Sequence, residues 1–315
     1  MVTEEDVRRA YQYFLAREPE SRSVIDFHLQ ASSIQELCNS FLSSDEFVAK
    51  QPARLPKSLD LAGPLDIEVD VGGGDLEQML KLVEREWTEL GQKDPYWSVW
   101  TADKFRTETF STHESEFYNS GQSDVDRLKA WLKRNGIALA EIKTCCEYGC
   151  GTGRVTLWLA RLFPDIIACD ISQSHLSLAE KALCERGVRN VSYTCVSSRA
   201  AIHAVPRFDA LFSTVVLQHN PPPIMAFLLR TLLRRLTPGG VAFFQIPTYA
   251  VGYRFSAAKW LAAPPRGMEM NVLPQRSVFS IARESGCEIV EVEPDGYVPE
   301  RNWLSTSFLL RKRRA

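Results

Sequence analysis

Short apolar runs alternate with segments of helical periodicity through the second half of the chain. The runs are typical of buried strands, and in the segments between them apolar residues recur every three to four positions. This alternation predicts an α/β fold with a doubly wound, seven-stranded, Rossmann-like sheet and right-handed crossovers. The strands are predicted at 142–146, 166–169, 191–196, 208–217, 241–246, 288–293 and 305–310.

The first 130 residues follow other patterns. Residues 1–50 carry two apolar helical faces and predict a small helical module. Residues 51–74 contain several prolines and end in three glycines, which indicates a linker. Residues 75–130 predict a largely helical segment, opened by a helix that Asp75 and Gln78 would cap and continued by a stretch dense in aromatic residues. The core is then expected at 131–315.

Composition and charge narrow the possible partners. The 315 residues are 45% hydrophobic and 24% charged, with a formal net charge of −2, so a nucleic-acid partner is not expected. No apolar run reaches the ~18 residues of a membrane span. The N-terminus lacks a basic-then-apolar secretory pattern, which predicts a cytoplasmic protein.

The eight cysteines favour the same compartment. None forms a C-x-x-C pair and most fall in predicted strand or core, which indicates reduced thiols and predicts neither a disulfide framework nor a metal site. Cys150 lies within a glycine-rich turn, where a nucleophilic role is the less favoured interpretation. The cysteines are at positions 38, 145, 146, 150, 169, 184, 195 and 287.

The glycine-rich turn at 149–153 is the main chemical signal. Glycines permit positive φ and close backbone approach, and the helix that follows presents unpaired N–H groups to a ligand. A dinucleotide fingerprint would need a third glycine at position 154, which is Arg154. The next predicted strand ends at Asp170, where a carboxylate is placed to accept hydrogen bonds from ribose hydroxyls.

The pattern Glu147-Tyr-Gly-Cys-Gly-Thr-Gly153 resembles motif I of the class I S-adenosylmethionine-dependent methyltransferases. The resemblance implies S-adenosylmethionine as the cofactor, with no metal, and a hairpin formed by the last two strands. It also implies that residues 75–130 form a helical lid over the cofactor. Many relatives carry an acid after the third strand, whereas this chain has Ser197 there. The residues that the resemblance implies for cofactor binding are Tyr118, Glu147, Gly149, Cys150, Gly151, Asp170, Ile171, Ser172, Ser197 and Val215.

Candidates for catalysis and acceptor binding are less defined. His219 resembles the histidine of an L-x-H-x-P turn after the fourth strand in small-molecule methyltransferases, and an imidazole there could deprotonate a hydroxyl acceptor. His113 in the lid is the second candidate base, with Glu114 and Glu116 as rivals. Tyr249, Tyr253 and Arg254 follow the fifth strand and suit an acceptor pocket.

The N-terminal module resembles a small helical repeat domain found beside bacterial glycan-modifying enzymes. The similarity rests on Ala10–Pro19 and on Phe41–Phe47, with its F-x-x-S-x-E-F pattern. It implies a module for packing or for protein docking, and it suggests a glycan-linked acceptor.

Together these features predict methyl transfer to a small-molecule or glycan-linked acceptor, with O-methylation in polysaccharide or natural-product biosynthesis the leading hypothesis. The alternative is a catalytically silent scaffold of the same fold, recruited through residues 1–50. An oxidoreductase is disfavoured by Arg154. A nucleic-acid methyltransferase is disfavoured because Asn220-Pro-Pro-Pro223 lacks the aromatic residue that stacks on a flipped base.

Overall fold

The computed structural model describes residues 2–50, 65–262, 267–299 and 302–314. The chain separates into two compact units, Met1–Ser58 and Leu59–Ala315, which are treated individually. Of the predicted linker, residues 51–64 lie outside the described residues. The boundaries predicted for the module, lid and core remain predictions.

The first unit is all-helical, with α1 (Glu4–Leu15), α2 (Arg22–His28), α3 (Ile34–Leu42) and α4 (Asp45–Lys50). Hydroxyl side chains start the first three helices, and at α1 Thr3 and Asp6 form a reciprocal capping box. The small core contains Tyr11 and Phe41, whose rings meet edge to face at 4.9 Å.

The second unit contains one seven-stranded sheet, which confirms the predicted fold class. Its order is β3-β2-β1-β4-β5-β7-β6, parallel except for β7, which pairs antiparallel with both β5 and β6. Strand order reverses between β1 and β4, where doubly wound sheets bind ligands. The strands are β1 Thr144–Tyr148, β2 Asp165–Asp170, β3 Val191–Cys195, β4 Phe208–Ser213, β5 Leu236–Ala250, β6 Cys287–Pro294 and β7 Trp303–Lys312.

Helices cover both faces of this sheet. On one face, the apolar sides of α5, α11 and α13 pack against residues such as Cys146 and Phe244. On the other, α7 and α8 cover Cys145 and Phe243. The helices are α5 Gly73–Lys93, α6 Pro95–Val99, α7 Phe110–Arg134, α8 Thr156–Leu162, α9 Gln173–Glu185, α10 Arg199–Ala204, α11 Pro222–Arg235, α12 Ala257–Ala262 and α13 Gln275–Glu284.

Three local predictions need correction. The strand predicted at 208–217 ends at Ser213, because the backbone turns at Val215 with φ of 57°. The helix predicted from Asp75 begins at Gly73, and no side chain hydrogen-bonds to its first turn. Residues 67–71, predicted as an edge strand, contribute a single bridge between Ile67 and Phe255.

Candidate functional site

A cleft of about 860 Å³ opens at the carboxyl ends of β1, β2 and β4, where the strand order reverses. Its "loop half" is formed by the lining residues at 98–99, 147–155 and 170–175, and its "β4 half" by those at 83–87 and 212–220. The lining residues are Val83, Trp87, Ser98, Val99, Glu147, Tyr148, Gly149, Cys150, Gly151, Arg154, Val155, Asp170, Ile171, His175, Phe212, Ser213, Thr214, Val215, Val216 and Asn220.

The glycine turn in the loop half requires its glycines for two reasons. Gly149 has φ of +80° and Gly151 has φ of +54°, the left-handed region that β-carbons disfavour. A β-carbon on Gly149 would also lie 2.3 Å from Cγ1 of Val216, and one on Gly151 would lie 2.6 Å from Cγ2 of Val99. The turn therefore brings bare backbone into contact with both neighbouring walls of the cleft.

Asp170 ties the end of β2 to this turn. Its carboxylate accepts a hydrogen bond from the backbone N–H of Gly151 at 2.8 Å and another from the N–H of Ser172 at 2.9 Å. Ser172, and not the acid, caps α9. Each carboxylate oxygen keeps further acceptor capacity, so Asp170 is held rigidly while it faces the cleft.

Glu147 is a second acid in the lining, and its residue surface is only 3% exposed. The hydroxyl of Thr156 donates to its Oε2 at 2.6 Å. Burial raises the pKa of Glu147 to about 7, against the opposing effects of the Thr156 hydrogen bond and the Arg154 charge. A positively charged ligand in the cleft would favour the ionised form of this carboxyl group.

Arg154 supplies positive charge to the loop half. Its Nη2 pairs with Oδ2 of Asp124 on α7 at 2.8 Å, and Nη1 donates to the hydroxyl of Ser120 at 3.2 Å. The phenol of Tyr297 donates to the other oxygen of Asp124 at 2.7 Å. The guanidinium Nε is buried and has no hydrogen-bond partner among the described residues. The ion pair therefore holds Arg154 at the cleft and leaves a donor unused.

A glutamine buried in β5 holds the turn after β4. Gln245 accepts a hydrogen bond from the N–H of Val215 at 2.9 Å and donates to Gln218 at 3.0 Å and Ser305 at 2.6 Å. A β-branched residue at positive φ costs about 1–3 kcal/mol. These bonds help to hold Val215 in a conformation that places its backbone in the cleft wall.

The outer wall comes from the segment before β1. Trp87 and Val83 of α5 and Val99 of α6 face the cleft. A β-carbon on Gly121 of α7 would lie 2.2 Å from the carbonyl oxygen of Arg154, so this helix contacts the glycine turn backbone to backbone. The predicted lid is therefore part of the wall in this structure.

Seven of the ten cofactor-binding residues predicted from the sequence line the cleft: Glu147, Gly149, Cys150, Gly151, Asp170, Ile171 and Val215. Ser172 is buried behind Asp170, and Ser197 follows β3 outside the lining. Tyr118 is also outside the lining; its hydroxyl donates to the carbonyl of Thr152 at 3.1 Å. All ten assignments to a cofactor remain predictions.

The predicted catalytic and acceptor residues are not among those that line the cleft. His219 touches the wall through Trp87, whose ring centre is 5.6 Å away, and burial lowers the pKa of His219 to about 4. His113 lies on α7, 3.5 Å from Glu116. The Tyr253 phenol donates to Asn271 at 2.7 Å, Tyr249 is half-buried in β5, and Arg254 is exposed.

Four residues that line or support the cleft were not predicted as site residues from the sequence. Arg154 was noted only as the residue that breaks a dinucleotide fingerprint, and Trp87, His175 and Gln245 were not noted as site residues. The polar side chain of Gln245 within an otherwise apolar strand was the one available signal, since an unpaired buried amide would be costly. The others are brought to the cleft by tertiary packing.

The residues present fit a nucleoside that carries an amino acid. Two carboxyl groups, one arginine and a glycine cradle surround the loop half, so the cleft offers acceptors for hydroxyl and ammonium groups and a donor for a carboxylate. Within the described ranges, no group of three or more His, Cys, Asp or Glu side chains is placed to hold a metal ion. None of the described helices is long and apolar enough to cross a membrane.

Comparison with known proteins gives a consistent result. A family model described as "Methyltransferase domain" matches residues 118–292. The ubiquinone biosynthesis O-methyltransferase of Methylococcus capsulatus is 29% identical over 161 residues, covering 49% of this chain and 66% of that protein. The enzyme of the same name from Pseudomonas fluorescens Pf-5 is 29% identical over 135 residues, covering 42% of this chain and 55% of that protein.

The chain thus spans between about half and two thirds of the length of these relatives. Among solved structures, a magnesium protoporphyrin IX methyltransferase from Synechocystis PCC 6803 with bound SAH is 17% identical. The alignment covers 62% of this chain and 86% of that one, with a TM-score of 0.46. A likeness at this level supports no functional argument.

Proposed function

Because the chain belongs to the family of S-adenosylmethionine-dependent methyltransferase domains, we propose that it transfers a methyl group from S-adenosylmethionine to a hydroxyl oxygen of a small, uncharged molecule. The observation that carries this proposal is the cleft itself. It lies where the strand order reverses, and its loop half combines a glycine cradle with the carboxylates of Glu147 and Asp170.

In the loop half, each charged side chain has a distinct role. Asp170 accepts hydrogen bonds from ribose hydroxyls, Glu147 balances the ammonium group, and Arg154 binds the carboxylate through donors that its bond to Asp124 leaves free. The backbone of the glycine turn approaches the amino-acid part. Within the described chain, Arg154 is the one arginine or lysine of the lining, so the carboxylate has a single obvious partner.

The β4 half suits an uncharged acceptor. Its lining includes Val83, Trp87, Val216 and Asn220, with no charged side chain from the described part of the chain. When bound, S-adenosylmethionine supplies a methyl group already activated by a positively charged sulfur. The protein's contribution is to align the acceptor and exclude water, which the apolar walls from α5 and α6 favour.

The preference for oxygen rests on the relatives. Both are named O-methyltransferases of ubiquinone biosynthesis, so a phenolic or other hydroxyl acceptor is the first class to test. His219 remains our candidate base, because its ring contacts that of Trp87, which lines the cleft. At a pKa of about 4 its imidazole is neutral at pH 7 and therefore able to accept a proton, although weakly basic.

Titration with S-adenosylhomocysteine by calorimetry tests the cofactor. We expect one-to-one binding by the native protein and at least a roughly 100-fold loss in Asp170→Ala, since a ribose contact and the acceptor for two backbone N–H groups disappear together. Asp165→Ala, at the exposed start of the same strand, should bind normally. Absence of binding by the native protein would refute the proposal and favour a silent scaffold.

A further part of the proposal concerns the helical unit at Met1–Ser58. We propose that it docks the enzyme to a protein or carrier that presents a glycan-linked acceptor. Its surface exposes large apolar side chains, with Tyr13 82% and Phe27 66% exposed, and its sequence resembles a module found beside glycan-modifying enzymes. A Tyr13→Ser, Phe27→Ser variant should methylate a free small acceptor normally and lose activity on a carrier-linked one.

A further inference from the structure

His175 is a buried imidazole in the loop half to which no role has yet been given. It lies in the first turn of α9, lines the cleft and is 1% exposed. One ring nitrogen, Nε2, is 2.9 Å from the hydroxyl oxygen of Ser98 on α6 and 3.3 Å from the carbonyl oxygen of Pro95. The other, Nδ1, is buried and has no hydrogen-bond partner among the described residues.

The partners of Nε2 decide which nitrogen carries the proton. The hydroxyl of Ser98 donates its hydrogen to the carbonyl of Pro95 at 2.8 Å, so the serine oxygen is left to accept from the imidazole. The Pro95 carbonyl is an acceptor only. Nε2 is therefore the donor. Burial lowers the pKa of His175, so the ring is neutral at pH 7 and Nδ1 presents a bare lone pair.

That lone pair faces another acceptor. Nδ1 of His175 lies 4.0 Å from Oδ1 of Asp170, whose carboxylate also lines the cleft. Two acceptors cannot hydrogen-bond to each other, and a buried acceptor without a partner is destabilising by about 1–3 kcal/mol. Nδ1 therefore lacks a donor, whereas Asp170 already accepts two backbone N–H bonds and keeps further acceptor capacity. Two neighbouring hydroxyl groups of a ligand would donate to both acceptors at once.

We propose that His175 Nδ1 and the Asp170 carboxylate together form a recognition site for the vicinal diol of the ribose, with one hydroxyl group donating to each. This inference rests on the proposed function, because it assigns a second partner to the nucleoside of that site. His175 is thereby a specificity-determining residue: it favours a ribonucleoside over its deoxy analogues.

The same ring joins the nucleoside to the outer wall. Ser98 lies on α6 of the lid, and the next residue, Val99, lies against Gly151. Nε2 of the imidazole therefore contacts the lid, while Nδ1 is left for the ligand. A β-carbon on Gly91 of α5 would lie 2.9 Å from the imidazole ring, which shows how closely the lid packs on His175. The orientation of Nδ1 is thus set before a ligand arrives.

Two amide substitutions distinguish the roles of the two ring nitrogens of His175. In His175→Asn the amide stands near the position of Nδ1, and in His175→Gln it stands near the position of Nε2. We would titrate both variants and the native protein with S-adenosylhomocysteine and with its 2′-deoxy and 3′-deoxy analogues. The proposal predicts that the native protein prefers the ribonucleoside to each analogue by about tenfold, as expected for one well-made hydrogen bond per hydroxyl group, and that only one of these two preferences depends on His175.

His175→Gln should bind S-adenosylhomocysteine about tenfold more weakly and lose that preference, whereas His175→Asn should retain most of it. His203→Gln, at an exposed position on α10, should bind all three ligands as the native protein does. Melting temperatures without ligand identify variants that fail to fold, and ¹⁵N shifts of the native imidazole should move at Nδ1 on ligand addition.

Two outcomes would overturn the inference while leaving the cofactor assignment intact. One is an unchanged preference for the hydroxyl in His175→Gln; the other is an equal loss of affinity for all three ligands. If the native protein bound none of the three ligands, the proposed function would fail and this inference with it.

Discussion

The two halves of the cleft are formed by different kinds of interaction. In the loop half, backbone geometry and buried charge define the surface: two glycines at positive φ, two acids and one arginine lie within a short stretch of chain around β1 and β2. In the β4 half, side chains from α5 and from the turn after β4 form a mostly apolar wall. The charged groups and the glycine turn of the first half come from one stretch of the chain, whereas the second half joins segments that are far apart in sequence.

This difference indicates which half of the cleft tolerates substitution. A ligand held by backbone and by fixed charges must stay the same, because a change in the loop half disturbs the fold as well as the ligand. The β4 half depends on side chains such as Trp87 and Asn220, which can be exchanged with less damage. We therefore expect large effects of substitution in the loop half and small effects on cofactor binding in the β4 half.

Gly149→Ala should give the largest effect. The left-handed backbone costs about 1–2 kcal/mol and the clash with Val216 about 1–3 kcal/mol, so we expect about 2–5 kcal/mol lower stability in chemical denaturation. Gly136→Ala is the matched control, since its φ is +66° but nothing lies within 4 Å of the added carbon. Equal losses in the two variants would show that contact between the two halves contributes little.

Glu147→Gln tests the buried acid of the loop half through the pH dependence of stability. The folded-state pKa of about 7 lies above the ~4.3 of an unfolded chain, so the folded protein binds the extra proton between these values. The contribution of Glu147 to stability should therefore be largest below pH 4.3, fall as the pH rises and level off above about 8, a loss of at most about 4 kcal/mol. The variant should lack this component of the pH dependence.

Denaturation curves at several pH values measure this effect. Glu108→Gln, at an exposed position, is the control and should follow the native curve. Parallel curves for the native protein and Glu147→Gln would mean that the buried acid is already ionised in the folded state.

Arg154→Lys tests which part of the cofactor the arginine binds. Lysine keeps the charge but loses the fork of donors, so affinity for S-adenosylhomocysteine should fall about tenfold, or about 1.4 kcal/mol. Affinity for 5′-methylthioadenosine, which has no carboxylate, should not change. Arg161→Lys on α8, whose guanidinium lies 4.4 Å over the Trp158 ring, should leave both affinities unchanged.

His219→Gln should give the smallest effect on binding. His219 reaches the cleft only through Trp87, so we expect calorimetry with S-adenosylhomocysteine to show less than a threefold change, or about 0.7 kcal/mol. If His219 is the base, methyl transfer falls by about 100-fold in the same variant. A loss of cofactor affinity above tenfold would show that cofactor binding depends on the β4 half as well as on the loop half.

The sequence reveals local features of the fold and not the packing between distant elements. The seven strands, the glycine turn and Asp170 follow from patterns that span a few residues each. The 25-residue helix α7 buries one face, but two of the buried positions on it, Gly121 and Asp124, are not large apolar residues, so the apolar period is interrupted in the sequence. The predicted role of the Tyr118 hydroxyl gave no warning that this group bonds to the carbonyl of Thr152.

The missed site residues have the same physical origin. The ion pair between Arg154 and Asp124 joins residues thirty positions apart, and His175 reaches Ser98 seventy-seven positions before it. Helical periodicity marks such residues only as polar positions on a helix. Their function depends on which helices meet, and that is decided by the whole core.

The position of β7 has a consequence for biosynthesis. This strand lies between β5 and β6 in the sheet although it follows both in the chain. A ribosome that adds roughly 5–20 residues per second would need several seconds after β5 before β7 exists. During that interval the apolar edge of β5 is open to pairing with other chains, so we expect the nascent protein to depend on a chaperone at this stage.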